Sequence, residues 1–295
     1  KFNCHYLPLN STEENDPNLF FSKAYTLSEI MPDLNHIHDV AVRAGNSAGE
    51  LILFALDKPR IPDYKGKTDL VTKTDKESEE LICAIIHAEF PKHGILTEES
   101  GSFFPNADYQ WIIDPLDGTT NFVHGYPSFA VSIGVFHKSK PLVGIVLELP
   151  SNRLFSGIRA KGATCNGDSI QISEVTALNN SLLVTGFGYE HDEKWKANMR
   201  LFQKLTDLTQ GVRRLGAASV DLCHVAMGIV DGFWEFDLHP WDTAAGYLIL
   251  TEAGGKVTRM DGNPFSVFEK TILATNGILH NQLESIIADE LINLK

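Results

Sequence analysis

The stretch Tyr109-Gln110-Trp111-Ile112-Ile113-Asp114-Pro115-Leu116-Asp117-Gly118-Thr119-Thr120 decides how this chain is read. Its first half is aromatic and β-branched and predicts a buried strand. Its second half is a turn, because Pro115 fixes its own φ and Gly118 permits a sharp return. The Asp114 and Asp117 carboxylates and the Leu116 carbonyl can then converge at the strand's C-terminal edge. Hard oxygen ligands of this kind suit Mg²⁺, which takes few protein ligands and keeps waters for phosphate oxygens to displace. The motif points to metal-dependent phosphate-ester hydrolysis. Taken alone, it also reads as a surface turn without chemistry.

Two further acidic loci favour the metal. Thr97-Glu98-Glu99-Ser100 follows Gly94-Ile95-Leu96, a short apolar run that predicts a strand end. His239-Pro240-Trp241-Asp242 places an acid in the first turn of a Pro-initiated helix, where it would also suit the helix dipole as a cap. Acids at three element ends, each beside a turn signal, fit a cation cluster better than three unrelated caps.

Composition bounds the partners. The 295 residues suffice for one large domain or two intimate subdomains. No apolar run of ~18 residues occurs, so no membrane partner is expected. A net charge of −13 argues against nucleic acid. A phosphorylated substrate fits so acidic a chain only if bound cations reverse the local field. Cys4, Cys83, Cys165 and Cys223 form no C-x-x-C pair and read as reduced thiols. Asn10-Ser11-Thr12 and Asn179-Asn180-Ser181 are taken as chance matches to the glycosylation pattern. Residues 1–27 lack periodicity and predict a mobile tail. The start at Lys1 fits a removed transit peptide and a plastid stroma location, with the cytoplasm as alternative.

Periodicity predicts a helix from Pro32 to Leu56, with Leu34, Ile37, Ala41, Ala44, Ala48, Leu51, Ile52 and Ala55 inward. A turn at residues 65–69 leads into Leu70-Val71-Thr72. Thr74 with Glu77 predicts a capping box for a helix that ends near Glu89, before Pro91. Strands are expected over residues 130–136 and 142–149, joined by a hairpin turn at His137-Lys138-Ser139-Lys140. A second half is expected after Gly162 to Gly167. It holds strands at 182–185 and 271–274 and helices at 195–206, from Gly216, at 241–253 and at 279–291. The expected organisation is an α+β subdomain over 28–175 and a second subdomain over 176–295 that completes the site.

These residues resemble the inositol monophosphatase family, within the lithium-inhibitable phosphatase superfamily. The resemblance runs through Asp69-Leu70-Val71-Thr72 and Asp75, Glu98-Glu99-Ser100, Trp111 to His124, Trp241 to Gly246, and Glu252-Ala253-Gly254-Gly255. Thr120-Asn121-Phe122 is similar to the inositol monophosphatase branch. Gly186 to Asp192 with Gly211 to Gly216 is similar to plastid and cyanobacterial members. The resemblance implies an α/β (α+β) fold, a layered α-β-α-β-α sandwich of the inositol monophosphatase and fructose-1,6-bisphosphatase type, and a homodimer. It implies hydrolysis of inositol-1-phosphate with two or three Mg²⁺. A broader sugar phosphatase acting on fructose-1,6-bisphosphate or galactose-1-phosphate, or a histidinol-phosphatase, is the alternative.

By the same resemblance, Glu98, Asp114 and the Leu116 carbonyl match the ligands of one ion, and Asp114, Asp117 and Asp242 those of a second. Glu98, Thr119 and Asp117 carry the catalytic step, with Glu98 and Thr119 orienting the attacking water. Gly118 and Thr119 offer N–H donors to phosphate. Gly216, Ala217, Ala218, Glu235 and Asp242 contact the substrate's remaining part. Asp75 is either an outer contact or a helix cap, Glu99 turns away from the site, and His124 is structural. Tyr189 stands where animal relatives carry a small polar residue.

Other classes fit less well. Haloacid-dehalogenase phosphatases space their acids two apart, whereas Asp114 and Asp117 are three apart. No G-x-x-x-x-G-K-[ST] run supports an NTPase. A catalytically dead metal-binding subunit would not need every ligand and Thr119.

Overall fold

The computed structural model describes residues 33–64 and 70–292. The expected tail at 1–27, Cys4, the Asn10 motif and the turn at 65–69 with Asp69 lie outside the described residues.

Helix α1 (Leu34–Leu56) buries Ile37, Val40, Ala41, Ala44, Ala48 and Ile52, the stripe that its helical period demands. Strands β1 (Asp63–Tyr64) and β2 (Leu70–Val71) pair antiparallel and lead into α2 (Lys73–Glu89). The cap of α2 differs from the expected Thr74–Glu77 pair. β2 ends at Val71, so the chain turns at Thr72. Thr72 Oγ1 accepts the Thr74 N–H at 3.1 Å, and Asp75 accepts the Thr72 N–H at 2.8 Å.

Next come β3 (Gly94–Thr97), β4 (Gly101–Phe103), β5 (Tyr109–Asp117), α3 (Thr119–His124), β6 (Phe129–His137) and β7 (Lys140–Leu149). They are followed by β8 (Arg153–Ile158), β9 (Gly162–Cys165) and β10 (Asp168–Ser169). These strands form one sheet in the order β10-β9-β8-β7-β6-β5-β3-β4. The expected turn between β6 and β7 is present: Lys138 and Ser139 both take positive φ, 46° and 66°, as a two-residue hairpin needs. Asn166-Gly167 behaves likewise, with φ of 51° and 88°. The stretch that precedes the expected second half is therefore a hairpin that extends the first sheet.

The chain continues through β11 (Leu183–Thr185), α4 (Glu193–Leu208), β12 (Val212–Arg213), α5 (Ala218–Ala226) and β13 (Gly232–Phe236). It ends with α6 (Pro240–Glu252), β14 (Lys256–Thr258), β15 (Thr271–Thr275) and α7 (His280–Leu291). The second sheet runs β12-β11-β13-β15-β14. One apolar cluster joins α1 and α2 to one face of the first sheet through Ile37, Ile82, Ile113 and Ile145. A second holds α5 and α6 between the sheets, from Val146 and Phe155 to Phe233 and Ile272. A third packs α4 and α7 on the far face around Trp234 and Leu205. The layers are α-β-α-β-α, as the family resemblance implies. Among the described residues, no helix is long and apolar enough to cross a membrane.

Helix α6 is seated by a row of glycines. Gly134, Gly144 and Gly157 are cross-strand partners on β6, β7 and β8. A Cβ on Gly134 would lie 2.8 Å from Ala244 Cβ, and one on Gly144 would lie 2.7 Å from the Ala245 carbonyl oxygen. The helix therefore rests on sheet backbone, and its depth fixes the height of Asp242 above β5. On the opposite face, a Cβ on Gly45 would meet only the Ile145 Cδ1 tip, at 2.7 Å. A methyl tip can swing aside, whereas a helix carbonyl cannot. Gly144→Ala should cost about 1–3 kcal/mol and lower Tm by roughly 3–10 °C with loss of activity. Gly45→Ala, which gains helix propensity, should change Tm little. Thermal melts of the two variants check this ordering.

Candidate active site

Parity explains why the two motif acids can act together. Side chains three positions apart on a regular strand point to opposite faces. In β5, Asp114 pairs with Ser132 and Asp117 with Ala130, so three steps on one strand oppose two on the other. This one-residue bulge at Pro115-Leu116 returns Asp117 to the face of Asp114. Leu116 points the other way, into the core beneath α1 and α2. Proline has no N–H to lose at the bulge, and the Pro115 carbonyl takes a hydrogen bond from Ser78 Oγ at 2.8 Å. Gly118 follows with φ of +88°, and a Cβ there would lie 2.9 Å from the Ser128 carbonyl.

Helix α2 holds this turn from below. Asp75 lies one helical turn before Ser78 and Glu79 on its buried face, and together they continue toward the sheet the stripe of Ile82 and Ile86. Thr119 Oγ1 donates to Asp75 Oδ1 at 2.8 Å, and the Leu116 carbonyl is also within its reach at 3.1 Å. Asp75 is thus both helix cap and partner of Thr119. Glu79 accepts from Thr97 Oγ1 at 2.7 Å and from the Glu99 N–H at 2.9 Å, which anchors the loop carrying Glu98 at the end of β3. Ser78 and Glu79 were absent from the sequence expectations. Their signal is the polar interruption of an otherwise apolar helical stripe.

The other acids arrive from the middle layer. Asp117 accepts from both the N–H and the hydroxyl of Ser219, at 2.8 and 2.6 Å, at the start of α5. The first turn of α5, expected to serve substrate hydroxyls, spends its Ser219 N–H on Asp117. Gly216, Ala217 and Ala218 still line the cleft. Asn121 ties α3 to this loop by donating to the Leu215 carbonyl at 2.7 Å. Asp242 follows Pro240 in the first turn of α6 and accepts the His239 N–H at 2.6 Å. Its capping role and its place in the site are therefore compatible. Glu235 projects from β13, and Gly186 supplies the space it occupies, since a Cβ there would overlap the carboxylate.

Glu98, Asp114, Asp117, Thr119, Glu235 and Asp242 line one cleft of about 1130 Å³. Burial raises the Asp114 pKa well above the usual carboxylate range, and the charges of Glu98, Asp117 and Asp242 raise it further. Burial pushes Asp117 up to about 6, against the opposing hydrogen bonds from Ser219 and Ala218. Asp242 is raised by burial too, partly offset by the His239 N–H. Among the described residues, no three His, Cys, Asp or Glu side chains are already drawn together tightly enough to hold a metal ion. Each motif acid is instead turned to a local donor: Leu116 N–H for Asp114, Ser219 for Asp117 and His239 N–H for Asp242. Crowded hard-oxygen acids that repel one another fit a divalent cation, which would relieve the repulsion that the hydrogen bonds only reduce.

The profile of the inositol monophosphatase family matches residues 33–292. The chain belongs to the inositol monophosphatase family. It is similar to the chloroplastic phosphatase IMPL1 of Arabidopsis thaliana, 51% identical over 267 residues, or 88% of this chain and 72% of that one. It is 43% identical over 258 residues to the inositol-1-monophosphatase of Synechocystis, covering 87% and 90% of the two chains. Its fold is similar to the solved inositol monophosphatase from Anabaena, with a TM-score of 0.79 and 43% identity over 88% of this chain and 97% of that one. The protein is accordingly a phosphatase, and metal dependence is general in its family.

In this phosphatase the metal-free fold carries a repulsion that Asp114→Asn should remove. The folded protein binds the Asp114 proton more tightly than the unfolded chain does. Metal-free stability should therefore fall as pH rises above about 3.8 through the raised value. Asp114→Asn should flatten that fall and raise the metal-free Tm near neutral pH, while abolishing turnover and the stabilisation that added Mg²⁺ confers on the wild type. Melts with and without Mg²⁺ across pH check both parts.

Proposed function

We propose that this phosphatase hydrolyses inositol-1-phosphate to inositol and phosphate, using Mg²⁺ held by Glu98, Asp114, the Leu116 carbonyl, Asp117 and Asp242. The observation that supports the reading most is the β5 bulge. It turns Asp114 and Asp117 to one face, in a cleft that Glu98, Asp242 and Glu235 also line. When bound, the metal supplies charge neutralisation on phosphate and a lowered pKa for the attacking water. The Thr119 hydroxyl donates a hydrogen bond to Asp75, which leaves its oxygen lone pairs to accept from that water, with Glu98 as the second acceptor. Gly118 and Thr119 present N–H groups to the phosphate. Glu235, further along the cleft, accepts from hydroxyls of the departing alcohol.

The size of the cleft favours a second reading in which other sugar phosphates, galactose-1-phosphate and the larger fructose-1,6-bisphosphate, also enter. Likeness to the chloroplastic Arabidopsis phosphatase supports a plastid location, and family membership supports a homodimer.

Parallel assays of inositol-1-phosphate, fructose-1,6-bisphosphate, galactose-1-phosphate and p-nitrophenyl phosphate test the reading. Glu235→Gln should change the ranking among the sugar phosphates by about tenfold while lowering aryl phosphate turnover far less. Equal losses on all four would make Glu235 structural.

Lithium tests the Asp114–Asp117–Asp242 group. Li⁺ is close to Mg²⁺ in size but carries half the charge, so it can enter that oxygen set without stabilising the departing oxygen equally. Millimolar Li⁺ should inhibit in an uncompetitive or mixed pattern, and Asp242→Asn should blunt the effect along with activity. Turnover unaffected by tens of millimolar Li⁺, relative to Na⁺, would contradict the assignment.

A further inference from the structure

Beyond the groups already given roles, the cleft contains an unsatisfied constellation. Asp221, in the first turn of α5, is 1% exposed, and neither carboxylate oxygen has a hydrogen-bond partner. Burying a carboxylate without partners is costly, so such a group needs a reason to be kept. Glu235, on the neighbouring β13, faces it with a like charge. Arg214, on the loop before α5, is the cation whose field acts on both acids. Among the described residues the Arg214 guanidinium makes no hydrogen bond or ion pair, although it lines the cleft. Lys194, which also lines the cleft, is already paired with Asp237 at 2.5 Å.

A guanidinium attracted by two carboxylates yet bonded to neither is a donor fork held in place and left open. A vicinal diol matches it: one hydroxyl donates to Glu235 while its oxygen, or that of its neighbour, accepts from the fork. Because the Asp221 oxygens have almost no accessible surface, Asp221 cannot reach a ligand directly as it stands. Its influence on a ligand passes through the charged side chains around it, and of these Arg214 is the one of opposite sign. Gly216, at φ +83°, keeps this corner open, since a Cβ there would sit 3.7 Å from Arg214 Nη1 and 3.2 Å from the Asn121 amide.

We propose that Arg214 is a specificity-determining contact for the hydroxyls of a polyol leaving group, and that Asp221 is the positioning residue that holds the Arg214 guanidinium over the cleft. The proposal rests on the reading of the protein as a polyol-phosphate phosphatase.

The test compares kcat/KM on inositol-1-phosphate with kcat/KM on p-nitrophenyl phosphate, whose leaving group has no hydroxyls to recognise, at saturating Mg²⁺. Arg214→Ala should lose at least about tenfold on inositol-1-phosphate, chiefly in KM, and no more than about threefold on the aryl ester. Arg214→Lys, which keeps the charge without the fork, should fall between. Asp221→Asn should lose about three- to tenfold in the same selective manner. In the double variant, adding Asp221→Asn to Arg214→Ala should cost little further, because the second group acts through the first. Far-UV circular dichroism and thermal melts establish that each variant is folded. Equal losses on both substrates, or none on either, would overturn the role of Arg214. An Asp221→Asn loss undiminished in the Arg214→Ala background would overturn the role of Asp221. Both outcomes presuppose a wild type that hydrolyses inositol-1-phosphate. A wild type inactive on every monoester would instead remove the parent reading and this inference with it.

Discussion

One extra residue in β5 is the constraint on which the site depends. Without the bulge at Pro115-Leu116, Asp117 would take the core face that Leu116 now occupies beneath α1, where a carboxylate has no partner. With it, Asp114 and Asp117 face the middle helical layer together, and Leu116 alone goes to the core. Much of the neighbourhood is arranged to hold that local irregularity: Ser78 on the Pro115 carbonyl, Asp75 on Thr119, Gly118 in the left-handed region, and Asn121 across to the loop before α5.

The second requirement is that a helix come close enough to complete the cluster. The glycine row on β6, β7 and β8 lets α6 lie on the sheet at backbone distance, which brings Asp242 toward β5. Ordinary side chains at those three positions would lift the helix away and lengthen every contact across the cleft. Gly246 repeats the device between α6 and α5, where a Cβ would lie 2.7 Å from Leu222 Cβ. Close packing of the middle layer is therefore also what crowds the acids. Their raised pKa values are the electrostatic consequence of the same approach.

Strength of local signal explains what could be read in advance. α1 was legible because its apolar stripe repeats over 23 residues. β5, β6 and β7 were legible because they are long, β-branched and bounded by turns. β8, β9 and β10 were not, since they are short and their Asn166-Gly167 turn resembles a boundary until its pairing with β9 is known. The cap of α2 was placed two residues late because Thr72 belongs to both a strand end and a helix start.

From the sequence alone came the residue chemistry: two acids flanking Pro-Leu before Gly-Thr, an acid after a short strand, an acid in a Pro-initiated helix turn, and the family these motifs resemble. Such signals are local, so a few adjacent residues suffice to carry them. Tertiary structure decided which side chains share a face and which donors they find. Ser78 and Glu79 support the turn only because α2 packs beneath it, and Ser219 binds Asp117 across 102 positions of chain. Arg214, Asp221 and Glu235 meet only because α5, its leading loop and β13 are neighbours around one cleft. The face of Asp117, the register across the sheets and the donors that the acids find depend on pairing between distant segments, and no local pattern in the chain encodes them.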